Sequence, residues 1–329
     1  MKAPAFAYAR PKRLIDVLAL LEKHGDEARL LAGGQTLLAT LNMRLSEPAL
    51  LIDMQSVAEL RGIAAGFGSG AGAGAAASAG GSGSGSLSAA VLRIGAMVTH
   101  SEIEASAVVA QHAPLLRMAA PHIAHRAIRN LGTFGGSIAY GDPAAEWPAC
   151  LLALEGVVVA RSLQGERRIP AQDFFTGLYT TALAANEVIV ACEVPVARPM
   201  QRFAFDELVR RHGDYAVVGL AASALETGGL LKDVRLAWIG VGGMPQRSRA
   251  TEKVLDGLRL SESVGEGQGP GANEALIARA LAALRAELQP EADLTHSAAT
   301  KQHLAGVMLK RALKTLSAPH QAAGSARAA

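Results

Sequence analysis

The sequence predicts an α+β fold in which a larger N-terminal domain is followed by a smaller C-terminal domain. The chain has 329 residues, of which 50% are hydrophobic and 19% charged, so it can bury the cores of two or three compact units. Short apolar segments alternate with helical spacings of apolar residues, a pattern typical of mixed helix and strand. Pro195 and Pro199 mark a boundary because proline restricts the backbone and breaks strand pairing. We therefore expect one domain over residues 1–197 and a second over residues 198–316.

The first unit, about residues 1–58, is predicted to be a small βαβ subdomain. Apolar residues on one helical face follow Pro11, which suits the first turn of a helix. The apolar segment 29–31 is then predicted to be a strand, and the glycine pair 33–34 a turn into a second helix. The apolar segment 50–53 completes the unit as a strand.

The larger subdomain, about residues 59–197, begins with a segment of low complexity. Residues 64–90 are almost entirely glycine, alanine and serine, which bury too little apolar surface to offset the entropy lost on ordering. We therefore expect a flexible insertion there. Thr99 followed by Glu102 predicts a capping box that opens a helix. The remaining expected elements are helices over about 114–129 and from about 144, and strands around 92–95, 157–159 and 188–190.

The C-terminal domain is predicted from apolar, β-branched segments followed by helical spacings. Strands are expected over 215–225 and 234–241, and helices over 273–288 and 303–316. The tail 317–329 is predicted to be disordered.

Composition excludes several classes of function. No stretch approaches the roughly 20 apolar residues that cross a bilayer, and early charges leave no room for a secretory signal, so we expect a cytoplasmic protein. The formal charge of +3 is spread along the chain and gives no support for nucleic-acid binding. The two cysteines, Cys150 and Cys192, cannot supply the four thiolates of an iron–sulfur cluster. Any such cluster is expected on a partner.

The first candidate binding loop lies between a predicted strand and a predicted helix, at Ala32-Gly33-Gly34-Gln35-Thr36. Glycines allow backbone N–H groups to approach a phosphate closely, and the start of a helix adds partial positive charge. An ordinary strand-to-helix turn has the same pattern, so this loop alone does not decide the function.

The second candidate loop is Thr133-Phe134-Gly135-Gly136-Ser137, with carboxylates just downstream. Its glycine N–H groups and its Thr133 and Ser137 hydroxyls can donate to a pyrophosphate, and a carboxylate can bind ribose hydroxyls. Two separate glycine loops fit a dinucleotide better than one does. Neither loop has the P-loop or the Rossmann spacing. A third glycine segment, 240–243, has Pro245 in place of the third fingerprint glycine and is interpreted as a structural turn.

Other chemistries receive little support from the sequence. His122 and His125 lie three residues apart without a nearby carboxylate or thiolate in sequence, which makes a poor metal site. Cys150 lies in an apolar run, where a thiol is usually a packing group. We therefore predict no metal site and no catalytic acid, base or nucleophile.

Together, the two loops and the segments Ile128-Arg129-Asn130 and Asp142-Pro143-Ala144 resemble the FAD-binding (medium) subunits of molybdenum hydroxylases, such as the carbon monoxide and xanthine dehydrogenases. Segments 210–216 and 238–242 resemble the C-terminal domain of that family. The resemblance spans nearly the whole chain except the glycine-rich insertion and the tail. It implies a two-part FAD-binding domain of the vanillyl-alcohol-oxidase (PCMH) type followed by a smaller α+β domain.

The resemblance also implies roles for individual residues. Both loops would hold the FAD pyrophosphate, and Glu146 stands where the family commonly has an aspartate. Ile189 and Tyr215 match positions near the isoalloxazine ring, the alternatives being a core strand residue for Ile189 and core packing for Tyr215. A bulky residue at Gly34 or Gly135 is expected to abolish FAD binding with little loss of fold.

The implied function is electron transfer within a complex. A large subunit would carry the molybdenum cofactor, a small subunit would carry 2Fe–2S clusters, and this chain's FAD would pass electrons to NAD, a quinone, oxygen or another acceptor. The complex would be a dimer of heterotrimers. Two alternatives stay open: an autonomous flavin oxidoreductase and a flavin-free scaffold subunit.

Overall fold

The computed structural model describes residues 2–67, 90–260 and 272–318. The helices of this part of the chain are α1 (Leu14–His24), α2 (Leu37–Asn42), α3 (His100–Ala105), α4 (Ala107–His112), α5 (Pro114–Ala119), α6 (Arg126–Arg129), α7 (Phe134–Tyr140), α8 (Glu146–Ala153), α9 (Ala171–Phe174), α10 (Arg249–Leu255), α11 (Ala272–Glu287) and α12 (Ala298–Ser317). The strands are β1 (Ala7–Ala9), β2 (Ala28–Leu31), β3 (Leu50–Asp53), β4 (Ile63–Phe67), β5 (Ala90–Gly95), β6 (Val157–Ser162), β7 (Gly165–Pro170), β8 (Phe175–Gly177), β9 (Thr180–Thr181), β10 (Val188–Pro195), β11 (Gln201–Leu208), β12 (Val218–Thr227), β13 (Leu230–Ile239) and β14 (Gln246–Arg247).

The N-terminal unit is the predicted βαβ subdomain with one additional strand. Its three strands form a parallel sheet in the order β1-β3-β2. Helix α1 buries Leu14, Val17, Leu18 and Leu21, and it ends at Gly25, whose N–H donates to the Leu21 carbonyl. The predicted helical face is therefore the face that packs on the sheet.

A five-stranded antiparallel sheet, β4-β5-β10-β6-β7, forms the larger subdomain. Strands β4 and β5 pair from Ile63 opposite Ile94 to Phe67 opposite Ala90. The expectation of a flexible insertion from residue 64 to residue 90 is therefore wrong at both ends, where ladder hydrogen bonds fix residues of weak strand propensity. The rest of that segment, 68–89, lies outside the described residues.

The single helix expected over 114–129 is also wrong. The structure has α5, a short turn of 3₁₀-helix at Ala120–His122, and then α6. Pro121 has no N–H to donate, and Ala124 has a φ of +42°, so the segment cannot continue as one α-helix.

The C-terminal domain is a four-stranded sheet, β11-β12-β13-β14, with α10, α11 and α12. Strand β11 was not predicted, and the strand expected from residue 215 begins at Val218. Helix α11 differs from its expected range by one residue at each end, whereas α12 begins five residues before the expected start at 303. Ser317, placed in the predicted disordered tail, is the last residue of α12, and residues 319–329 lie outside the described part of the chain.

Helix α8 lies at the centre of the molecule. It packs against strands β12 and β13 of the C-terminal sheet, and its fully buried Trp147 contacts Phe134 of α7 edge to face at 5.3 Å. Core residues of both domains, such as Phe134 and Ala221, therefore share one apolar cluster. Among the described residues, no helix has both the length and the apolar character that a membrane span requires.

Candidate functional site

The two predicted glycine loops touch each other. A Cβ placed on Gly33 would lie 2.1 Å from the carbonyl oxygen of Leu131 and 2.7 Å from the Cα of Gly132. A Cβ on Gly136 would lie 3.4 Å from that of Ala32. Only glycine fits at Gly33, because any side chain would overlap the backbone of Leu131 and Gly132, directly before the second loop. The structure thus brings both sequence-predicted loops into one continuous surface.

The first loop, between β2 and α2, has free backbone donors. Among the described residues, none accepts a hydrogen bond from the N–H groups of Gly33, Gly34, Gln35 or Thr36. The loop is shaped instead through its carbonyls, since those of Gly34 and Thr36 accept from Leu38 and Thr40 at 3.1 Å each. Gly34 has a φ of +72°, which favours glycine. Four unpaired N–H groups in sequence make a cradle suited to a phosphate.

The second loop has fewer free donors. The Gly135 N–H donates to the Ala96 carbonyl at 2.9 Å, and the Gly136 N–H donates to Thr133 Oγ1 at 3.1 Å. The expectation that these glycine N–H groups face a phosphate is therefore wrong. Because Thr133 Oγ1 accepts, its own O–H proton stays available, and the Ser137 hydroxyl has no partner among the described residues. The two hydroxyls and the backbone N–H of Thr133, which also has no acceptor among the described residues, are the donors that this loop can offer.

Gly135 allows the second loop to pack closely against Ala96. A Cβ there would lie 2.4 Å from the Cβ and 2.7 Å from the Cα of Ala96, which follows β5. The expectation that Gly135 tolerates a bulky residue with little loss of fold is therefore wrong, since the side chain would point into the backbone of the protein interior.

A buried pair behind the second loop was missed by the sequence analysis. Trp147 Nε1 donates to the ring Nδ1 of His100 at 3.0 Å. The backbone N–H of His100 donates to the Gly132 carbonyl at 3.0 Å. Burial, followed by the charge of Arg129, lowers the pKa of His100 to about 4, so the ring is neutral at physiological pH. This pair ties the second loop to α8. The one sequence signal near the His100–Trp147 pair was the capping box formed by Thr99 and Glu102.

A cavity of about 290 Å³ adjoins both loops. Ala32 of the first loop, Thr133 of the second loop and Leu131, just before the second loop, contribute to its wall. Its other lining residues were not singled out as cofactor contacts from the sequence; they are Gln55, Arg61, Met97, Thr99, Glu102 and Asn130. They come from four separate segments, which no local pattern connects.

Glu146 lies at the first residue of α8 and is buried. Burial, and then the nearby charge of Glu207, raises the pKa of Glu146 to about 8. At neutral pH this side chain is chiefly a neutral carboxylic acid that can donate a proton in a hydrogen bond. A contact between Glu146 and a cofactor stays a prediction.

The two residues assigned to the isoalloxazine ring differ in exposure. Ile189 is 4% exposed and belongs to the central apolar cluster, as the core-strand alternative requires. Tyr215 is 66% exposed, so core packing is the wrong alternative for it. Its position between β11 and β12 leaves the ring free to cover a ligand. The ring contacts of both residues stay predictions.

The remaining sequence candidates do not form a site. Among residues 2–67, 90–260 and 272–318, no group of three or more His, Cys, Asp or Glu side chains is arranged to hold a metal ion. His122 instead lies 3.5 Å from Glu207. Gly240 has a φ of +75° and donates its N–H to the Pro143 carbonyl, which fits the interpretation of the third glycine segment as a structural turn.

Comparison with known proteins gives two family matches. Residues 4–80 and 86–197 match the FAD binding domain in molybdopterin dehydrogenase, and residues 203–316 match the CO dehydrogenase flavoprotein C-terminal domain.

Individual relatives agree with these matches. The nicotine 6-hydroxylase medium subunit of Paenarthrobacter nicotinovorans is 39% identical over 79% of this chain and 83% of its own length. The carbon monoxide dehydrogenase medium chain of Hydrogenophaga pseudoflava is 34% identical over 95% of this chain and 97% of its own. A solved structure of carbon monoxide dehydrogenase from the same organism superposes with a TM-score of 0.82 at 34% identity, over 96% of this chain and 98% of that one.

Proposed function

The chain belongs to the family of FAD-binding medium subunits of molybdenum hydroxylases, and on that premise we propose that it takes electrons from an iron–sulfur subunit and passes them through its FAD to an external acceptor. Bound FAD supplies the redox chemistry in its isoalloxazine ring. The protein has to bind, orient and shield the cofactor.

The observation that carries the proposal is the contact between the two glycine loops. The unpaired N–H groups of residues 33–36 would hold the pyrophosphate, and the Thr133 and Ser137 hydroxyls would donate from the facing loop. Ala32 and Gly136 would contribute by allowing the two loops to approach each other, and Gly135 would contribute by allowing its own loop to pack against Ala96.

The exposed ring of Tyr215 would cover one face of the isoalloxazine ring. Ile189 would contribute apolar packing on the strand side, and Glu146 would donate a hydrogen bond in its neutral form. None of these roles requires an acid or a base, because electron transfer through the cofactor makes and breaks no bond of the protein.

The partners follow from the family and from the cysteines. Both cysteines of the chain are buried and have no disulfide, and two thiols are too few for an iron–sulfur cluster. In this family the partner subunits carry the molybdenum cofactor and the iron–sulfur clusters. We propose a large molybdopterin-binding subunit and a small 2Fe–2S subunit, assembled as a dimer of heterotrimers in the cytoplasm.

The test is the absorbance spectrum of the purified full chain, with the flavin identified after denaturing release. We expect one FAD per chain and little turnover by the chain alone. Turnover of a substrate by the isolated chain would favour the autonomous oxidoreductase. Absence of flavin after reconstitution with FAD would leave only the scaffold.

A further inference from the structure

Helix α8 is attached to the C-terminal sheet at both of its ends. Just before its first residue, the carbonyl of Pro143 accepts a hydrogen bond from the Gly240 N–H at 2.9 Å. At its last residue, the carbonyl of Ala153 accepts from the hydroxyl of the buried Ser223 at 2.9 Å. The start of α8, where Glu146 lies, is therefore held at the boundary between the two domains.

Glu207 of β11 lies on the face of the C-terminal sheet that packs against the N-terminal domain. Side chains alternate along a strand, so Glu207 shares its face with Phe205, which belongs to the central apolar cluster. Glu207 pairs with Gly219 of β12, and Gly219 pairs with Ile239 of β13. A Cβ on Gly219 would lie 2.7 Å from Ile239 Cγ1 and 3.2 Å from Glu207 Cβ. The missing side chain of Gly219 therefore allows Glu207 and Ile239 to approach each other across β12.

The carboxylate of Glu207 is buried and only partly paired. Its side chain is 3% exposed, and its Oε1 lies 3.5 Å from His122 Nδ1. Its Oε2 is buried and has no hydrogen-bond partner among the described residues. The ring of His122 also packs edge to face on Phe205, with centroids 5.0 Å apart. An unpaired buried carboxylate oxygen is destabilising, so its presence at a domain boundary indicates a role other than stability.

Glu207 acts on the face of α8 that carries Glu146 and Cys150, which lie four residues apart on the helix. Burial first, and then the charge of Glu207, raises the pKa of Glu146, whereas the charge of Asp142 has a smaller effect in the same direction. The pKa of the Cys150 thiol is raised by burial, then by Glu146 and by Glu207. Glu146 in turn contributes to the raised pKa of Tyr215, after burial and other charges. Among these charged groups, Glu207 therefore has the largest influence on the protonation state of Glu146.

We infer that Glu207 is a positioning residue for the cofactor: its buried carboxylate keeps the proton on Glu146, so that Glu146 meets FAD as a hydrogen-bond donor. The inference rests on the proposed function, in which Glu146 contacts FAD. An ionised Glu146 would add a negative charge beside a cofactor whose pyrophosphate is already negative. Glu207 opposes this ionisation, because two neighbouring carboxylates in apolar surroundings do not readily both ionise. FAD thus binds the protonated form, and near pH 8 the chain takes up a proton from solvent as FAD binds.

The experiment is calorimetric titration of the FAD-free full chain with FAD at pH 8, in two buffers that differ in ionisation enthalpy. The difference between the two heats gives the number of protons taken up. Flavin fluorescence titrations at about pH 7 and about pH 9 give the Kd of FAD. The variants are Glu207→Gln, Glu146→Gln and their combination. The control is Glu226→Gln, which removes a carboxylate of the same domain that pairs with Arg202.

We expect the wild type to take up about half a proton per FAD at pH 8, because Glu146 is then half ionised in the FAD-free chain. In Glu207→Gln the pKa of Glu146 should fall by about one unit, which raises the uptake to about 0.9 proton. The Kd should rise about tenfold from pH 7 to pH 9 in the wild type and about fiftyfold in Glu207→Gln. Glu226→Gln should behave as the wild type.

Glu146→Gln should take up no proton, and adding Glu207→Gln to it should change neither the uptake nor the pH profile of the Kd. Glu207→Asp, which keeps the charge on a shorter side chain, is a second variant and should take up an intermediate amount. Equal proton uptake by the wild type, Glu207→Gln and Glu207→Asp would overturn the inference. FAD binding without proton uptake in the wild type would also overturn it and leave the proposed function intact. A wild-type chain that binds no FAD would overturn the proposed function, and the inference with it.

Discussion

The two glycine loops resemble each other in sequence and differ in how they use their backbone. In the loop 32–36, the N–H groups from Gly33 onward have no partner among the described residues. In the loop 133–137, both glycine N–H groups are already bonded within the protein. The first loop therefore has backbone donors free for a ligand, whereas the glycine donors of the second loop are used within the protein. A glycine pair indicates close approach of two backbones, but the pattern does not say whether the second backbone belongs to the protein or faces a ligand.

The largest expected effect is a loss of stability when the packing of the second loop is disrupted. In Gly135→Ala the added Cβ meets Ala96 at 2.4 Å, so we expect the free energy of unfolding to fall by about 3 kcal/mol. Urea unfolding of the FAD-free chain measures it. Gly66→Ala is the matched control, because a Cβ there meets no atom within 4 Å, and it should change the free energy by less than about 0.5 kcal/mol. Equal stability of the two variants would contradict the packing role of Gly135.

The second prediction concerns Glu146, the first residue of helix α8. Since burial raises the pKa of Glu146 from its ordinary 4.5 to about 8, the folded protein keeps a proton that the unfolded chain releases between these values. The stabilisation of the folded protein by the proton on Glu146 is full below about pH 4.5 and is lost as the pH rises through 8. Relative to Glu146→Gln, the wild type should lose about 2.5 kcal/mol between pH 5 and pH 7. Parallel profiles of unfolding free energy against pH for the two proteins would show that Glu146 titrates normally.

Much of this arrangement could be predicted from local sequence. The strand, glycine turn and helix around Gly33 follow from apolar spacing, as does α1 with its C-terminal Gly25. The break of the helix at Pro121 also had a local signal, the missing N–H of proline, which the apolar periodicity concealed.

The rest depends on distant contacts. The acceptor of the Gly135 N–H is the carbonyl of Ala96, which follows another strand, and the pKa of Glu146 depends on Glu207 in the C-terminal domain. Likewise, the difference in exposure between Tyr215 and Ile189 arises only when the two domains pack together. Local patterns therefore located the loops, whereas tertiary packing decided which donors stay free.

The smallest expected effect tests the first loop without disturbing the fold. Gln35 is exposed, and its side chain donates only to the Gly33 carbonyl at 3.0 Å. Gln35→Glu places a negative charge beside the proposed pyrophosphate cradle. Coulomb repulsion should weaken FAD binding by about tenfold at low ionic strength, or about 1.4 kcal/mol, and salt should reduce the effect.

The most direct measurement is the FAD dissociation constant of the wild type and of Gln35→Glu, from titration of the FAD-free chain at low and high salt. Gln111→Glu, which changes an exposed glutamine of α4 in the same way, is the control. We predict a loss of affinity in Gln35→Glu alone, smaller at high salt, with unchanged unfolding free energy. Equal FAD affinity of Gln35→Glu and Gln111→Glu would contradict the claim that the first loop holds the pyrophosphate.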